Sequence, residues 1–123
     1  MIKRAEIVIH TSNPAKRFAA EKNPESDFIE TIQKTFKILQ FCKNKKIVLI
    51  SSLSARTQLN THYGRHRKAC EIIIDTGKNL IVRLGPMYGG KRTLDSIHDI
   101  LFNRTVYISG KTKYAYVDVA YSA

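Results

Sequence analysis

Tyr63 and Arg67 stand four residues apart in Tyr63-Gly64-Arg65-His66-Arg67-Lys68, and on a helix that spacing separates them by only about 40°. That places positive charge on the same helix face as a phenol. Lys68, one residue further, falls about 140° from Tyr63 and faces elsewhere. Arg67 supplies charge and N–H donors but cannot give up a proton in a relay. Other reactive side chains gather where apolar runs stop: His10-Thr11-Ser12-Asn13, Ser51-Ser52, and Arg83 through Gly85-Pro86 to Tyr88. Taken singly, Ser51-Ser52 is an ordinary strand end and Tyr63 an ordinary packing residue. Chemistry requires that they converge.

The elements that would make them converge are legible in the apolar pattern. Residues 5–10 form a β-branched run stopped by Thr11-Ser12-Asn13-Pro14, which opens a loop. Asn23-Pro24-Glu25 carries a capping Asn, a first-turn Pro and acidic residues, and Phe28, Ile32, Phe36 and Leu39 lay an apolar stripe along a helix ending near Lys43-Asn44. Residues 46–50 read as a strand in a sheet covered on both faces, ending at Ser51-Ser52. A second helix runs from about Tyr63 to Thr76-Gly77, and residues 79–84 form a third strand, stopped by Gly85-Pro86. The order strand, helix, strand, helix, strand predicts an α/β fold with a parallel sheet and right-handed connections. A short helix over 93–102 and a hairpin of 105–109 with 113–117 around Gly110 complete the prediction. Ligands in such sheets bind beyond the carboxyl ends of the strands, where His10, Thr11, Ser12, Ser51, Ser52, Arg83, Gly85 and Pro86 fall beside Tyr63.

Composition bounds the partners. With 123 residues the chain is expected to be one domain, and 21 Lys and Arg against 10 Asp and Glu give a net charge of +11. No acidic residue occurs between Thr31 and Cys70, where Lys34, Lys37, Lys43, Lys45, Lys46, Arg56, Arg65, Arg67 and Lys68 all fall. An anionic partner is the expectation, whether nucleic acid or a phosphorylated small molecule; Phe36, Phe41 and Tyr63 are too few to interleave as a base-stacking platform. The two cysteines, Cys42 and Cys70, lie far apart without metal-ligand spacing and read as buried thiols. No apolar run spans a bilayer and no signal peptide opens the chain, so a cytoplasmic location is expected, with no metal.

In order and spacing, these segments resemble the extended short-chain dehydrogenase/reductase family, the NAD-dependent epimerases and dehydratases of sugar nucleotides. The resemblance rests on Ile7-Val8-Ile9-His10-Thr11, Ile50-Ser51-Ser52, Tyr63-Gly64-Arg65, Ala69-Cys70-Glu71, Arg83-Leu84-Gly85-Pro86-Met87-Tyr88-Gly89 and Tyr116-Val117-Asp118-Val119-Ala120. It implies a partial Rossmann-like domain over 1–123, with a sheet core over 5–92 and the start of a substrate-binding region over 93–123. It implies catalytic roles for Ser52, Tyr63, Arg67 and Lys68, and contacts to NAD or NADP from His10, Thr11, Ser12, Ser51, Arg83, Gly85 and Pro86. Tyrosine would exchange a proton with a substrate hydroxyl while hydride passes to or from the nicotinamide; with an ordinary pKa of about 10, it needs roughly 4 kcal/mol of help from nearby cations to act near pH 7.

The departures are equally specific. The family's lysine four residues after the tyrosine is replaced by Arg67, and Thr31 stands where the family carries an asparagine that supports the helix and its water. No Gly-x-Gly-x-x-Gly or Gly-x-x-Gly-x-x-Gly occurs, so the turn that binds pyrophosphate is missing. By resemblance the chain is the central part of an enzyme, and turnover by it alone is not expected. Its open sheet edge predicts a partner chain that completes the sheet, or self-association. The alternative is a basic, non-catalytic module that binds nucleic acid or another anion on the same scaffold.

Overall fold

The computed structural model describes residues 4–90, 96–106 and 108–122. The chain divides into two compact units, Met1–Leu84 and Gly85–Ala123. The first unit contains β1 (Ile7–His10), α1 (Arg17–Lys22), α2 (Pro24–Phe28), a π-helical turn (Ile29–Gln33), α3 (Lys34–Phe41), β2 (Lys46–Ser52), α4 (Ser54–Thr57), α5 (His62–Ile74) and β3 (Leu80–Leu84). Its three strands form a parallel sheet in the order β1-β2-β3, with Val8 beside Ile47, Leu49 beside Ile81 and Ser51 beside Arg83. Connections of helical length are what adjacent parallel strands need.

Residues of β2 alternate between two environments. Ile47, Leu49 and Ser51 are buried; Ile47 and Leu49 join Cys42, Cys70 and Ile74 in the core, with Val8, Ile38 and Ile81 packed against it. Val48, Ile50 and Ser52 point to the other face, where Ile9 is 65% and Leu80 49% exposed. The apolar run of β2 had implied a sheet covered on both faces. Here the helices bury one row, and the rows containing Ile7, Ile9 and Leu80 keep substantial access to solvent. Both cysteines are free and buried in the core, as expected.

The long helical stretch differs from its sequence pattern in a way that matters for the site. Asn23 caps it by accepting from Ser26 N–H (3.1 Å), and Pro24 opens it, as read. Of the expected stripe, Ile32 and Leu39 pack against the core, whereas Phe28 and Phe36 are 41% and 51% exposed, and Asp27, Thr31 and Thr35 are buried. Two causes act together. The π turn at Ile29–Gln33 inserts an extra residue and rotates the stripe, and each buried polar side chain has a partner, Asp27 in His66, Thr31 in Asp27 and Thr35 in His10, so its burial costs little. After β1, the expected loop gives way to α1, anchored by fully buried Ala20.

In the second unit, β4 (Met87–Tyr88) and β5 (Val117–Asp118) pair in parallel, and α6 (Ser96–Leu101) and α7 (Val119–Ser122) are short helices. The expected hairpin around Gly110 is not formed: the described residues of 105–109 and 113–116 carry no strand, and Val117 pairs with Met87 instead. Two interactions favour this outcome: Val117 N–H reaches the Pro86 carbonyl at 3.1 Å, and the Asp118 carboxylate accepts from Ala120 N–H at 2.7 Å to start α7. Thr93, Leu94 and Asp95 of the expected helix, and Tyr107 of the expected hairpin, lie outside the described residues.

Candidate functional site

The start of α5 is fixed from three sides. Thr61 caps it by accepting from Gly64 N–H (3.0 Å), and Glu21 of α1 accepts from Tyr63 N–H (3.0 Å). That second bond holds the Glu21 carboxyl below its ordinary range. Gly64 allows α5 to approach the preceding turn: a Cβ there would lie 2.0 Å from the Gln58 carbonyl oxygen. Together these interactions set Tyr63, 6% exposed, at the first buried position of the helix.

One turn on, the guanidinium of Arg67 lies over the Tyr63 ring, 4.7 Å from its centre, and donates to the Pro14 carbonyl in the loop after β1. Arg67 is 3% exposed and has no carboxylate partner among the described residues. A buried cation of this kind favours an anion close by. Beside Pro14, both amide atoms of Asn13 are buried and unpartnered. The same loop engages His10, whose Nδ1 accepts a weak bond from Ser12 N–H (3.4 Å) and lies 3.2 Å from Ser12 Oγ. Nε2 is then left to donate to Thr35 Oγ1, 2.9 Å away. Burial first, then the charges of Arg67 and Lys34, push the His10 pKa below its ordinary value, so the ring is held neutral. Arg67 thus meets both Tyr63 and the loop after β1 at Pro14 and acts electrostatically on His10, while Thr11 of the same loop is exposed.

A second cluster is distinct. Glu71, 2% exposed, accepts from Ser51 Oγ (2.8 Å) and from Nε and Nη2 of Arg83 (2.8 Å each), with Lys68 Nζ 3.7 Å away. Burial would raise the Glu71 pKa, but the bonds from Arg83 and Ser51 and the charges of Arg83 and Lys68 outweigh it and hold the group ionised. The network ties α5 to β2 and β3 through the neighbouring pair Ser51 and Arg83. Lys68 thus turns away from Tyr63, as its angle on the helix required, and joins Ser51 and Arg83 around Glu71.

Ser52 lies on the opposite face of β2 from Ser51, and its Oγ accepts from Ser54 N–H (3.2 Å), leaving its own proton to donate elsewhere. Gly85 and Pro86 belong to the second unit, where the Pro86 carbonyl holds β5. Of the anticipated residues, then, Arg67 meets Tyr63, His10 meets Ser12, and Ser51, Arg83 and Lys68 collect around Glu71, while Ser52 faces the other side of β2.

Sequence reasoning missed three polar groups that shape the site's surroundings. Glu71 had a signal: Arg83 in an otherwise apolar strand demands a buried anion. Thr35 and the buried pair Asp27–His66 (2.6 Å) had none, because partners 25 and 39 residues away are set by packing. Thr31 is buried; its hydroxyl donates to Asp27 (3.4 Å) and its carbonyl faces the Cys70 thiol (3.5 Å). Among the described residues, no group of His, Cys, Asp and Glu could hold a metal ion, and no helix is long and apolar enough to cross a membrane. Compared with protein-family models, curated proteins and solved structures, the chain matches none.

Proposed function

We propose that the first unit is the nicotinamide-side part of an NAD- or NADP-dependent enzyme of the epimerase/dehydratase type, with a sugar nucleotide as substrate class. The observation that carries this reading is the buried Arg67 guanidinium over the Tyr63 ring, without a carboxylate and beside a loop whose Asn13 amide is unpartnered. A donor and an acceptor without a partner on one amide are of the kind a carboxamide or a ribose hydroxyl would complement, which supports the nicotinamide riboside end of a dinucleotide as the group held here. They do not supply a pyrophosphate site, since the sequence has no Gly-rich turn and the start of α5 is already engaged by Thr61 and Glu21. When bound, the cofactor supplies hydride transfer. In this reading Tyr63 exchanges a proton with a substrate hydroxyl and Arg67 supplies positive charge beside it, while Ser52, on the face of β2 away from α5, takes no part. His10, held neutral, fixes the Ser12 loop and adds no competing charge.

Calorimetric titration with NAD, NADH and nicotinamide mononucleotide tests it. Affinity of about 1 mM or better is expected for all three, lost in Tyr63→Phe with Arg67→Ala. No binding by the folded chain at any pH would refute it.

A second reading has its own observation. Lys43 and Lys46 are exposed at the turn into β2, and Lys78 Nζ donates to the Lys43 carbonyl (2.7 Å), placing three cations at the amino end of the sheet. As a polyanion site this turn should bind RNA or DNA with strong salt dependence, lost when Lys43, Lys45 and Lys46 become Glu.

A further inference from the structure

We propose that the outer edge of β1 takes up a β-strand from a second, acidic chain. The backbone of β1 fixes which groups are available. The Glu6 carbonyl accepts from Lys46 N–H (3.0 Å), and Ile7 and Ile9 stand opposite Lys46 and Val48 in the parallel register. In such a ladder Glu6, Val8 and His10 turn their peptide groups toward β2, so Ile7 and Ile9 turn theirs outward. Among the described residues no strand pairs with that side.

An open groove of about 480 Å³ runs between this edge and α3, with Ile9, Ile38 and Phe41 as its apolar wall and Lys34 and Lys37 on its rim. Phe41 is 74% and Ile9 65% exposed. Lys34 pairs with Glu30, whereas Lys37 has no carboxylate partner among the described residues. An extended segment meets all of these demands at once. Its main chain pairs with Ile7 and Ile9, its apolar side chains cover Ile9 on the open face, and carboxylates at the alternate positions turn toward α3 and reach Lys37 and Lys34. A second copy of this chain is a poor occupant, because each carries +11 and β1 pairing with β1 would bring both sets of lysines together. The groove borders His10, Thr11 and Ser12, which the nicotinamide reading also uses, but the proposal needs neither Tyr63 nor Arg67, and its peptide test is read independently of cofactor binding.

The test titrates the full chain with a fluorescent seven-residue peptide of alternating valine and glutamate, beside an N-methylated version and a valine–lysine version. The expected results are saturable binding of the first peptide only, amide exchange of Ile7 and Ile9 slowed about tenfold, and affinity reduced about tenfold by Lys37→Glu. Absence of binding, equal binding of the N-methylated peptide, or indifference to Lys37→Glu would each overturn it. A dimer in sedimentation with Ile7 and Ile9 protected in the absence of peptide would replace the acidic partner with a second copy.

Discussion

Replacing Gly64 with alanine distinguishes the close approach that positions Tyr63 from ordinary helix energetics, because the two predict opposite signs. In an unconstrained helix interior the change stabilises by about 1 kcal/mol through helix propensity and reduced freedom of the unfolded chain. Here the new Cβ would meet the Gln58 carbonyl oxygen at 2.0 Å, its carbon at 2.7 Å and the Ser54 carbonyl oxygen at 2.8 Å, all of them backbone atoms. No rotamer change relieves these contacts. The start of α5 and the turn before it must separate by about 1.4 Å to reach van der Waals distance, a displacement at the upper end of overpacking costs, about 3 kcal/mol. The net expectation is a loss of about 2 kcal/mol, seen in urea unfolding followed by far-UV circular dichroism and as a fall in Tm of about 10 °C. Stability equal to or above that of the unchanged chain would refute the packing of α5 against the 54–58 turn.

Three further outcomes follow from the site. Thr61→Ala removes the side-chain oxygen that accepts from Gly64 N–H and should cost about 1 kcal/mol, checked by the same unfolding measurement; Thr61→Ser should restore most of it. Glu71→Gln leaves Ser51 and Arg83 without their carboxylate and should cost about 2 kcal/mol at pH 7. The folded-state pKa of Glu71 is depressed, so its contribution is complete above the ordinary carboxylate pKa of 4.5 and is lost as pH falls below it; the gap between variant and parent should close in acid. His10 is also depressed, first by burial and then by Arg67 and Lys34, so the neutral ring's contribution is complete above its ordinary value of 6.5 and declines as pH falls below it. His10→Gln should flatten the part of the stability profile just below pH 6.5, and an unchanged slope there would count against a neutral, buried His10.

The parts of the fold set by local pattern were legible in the sequence. The β-branched runs located three strands, Asn23-Pro24 located a helix start, and the connection lengths implied parallel pairing. The relation of Tyr63, Arg67 and Lys68 also followed from helical angles alone: Arg67 lies over the Tyr63 ring and Lys68 sits with Glu71. What failed was any inference needing knowledge of distant partners. The buried face of the 24–41 helix could be polar only because His10, His66 and Cys70 meet Thr35, Asp27 and Thr31. The open face of β2 could not be distinguished from a covered one, because Val48 and Ile50 are as apolar as Ile47 and Leu49. The hairpin was lost to a parallel pairing of two residues with Met87–Tyr88, a contact between segments about thirty residues apart that no turn signal announces.

The most direct test of the central claim is a titration of the isotope-labelled chain with nicotinamide mononucleotide, followed by amide and side-chain chemical shifts. The account predicts that the largest changes fall on Ser12, Asn13, Tyr63 and the Arg67 guanidinium and vanish in Tyr63→Phe with Arg67→Ala. Changes centred on Lys43, Lys46 and Lys78, or none at about 10 mM ligand, would contradict it.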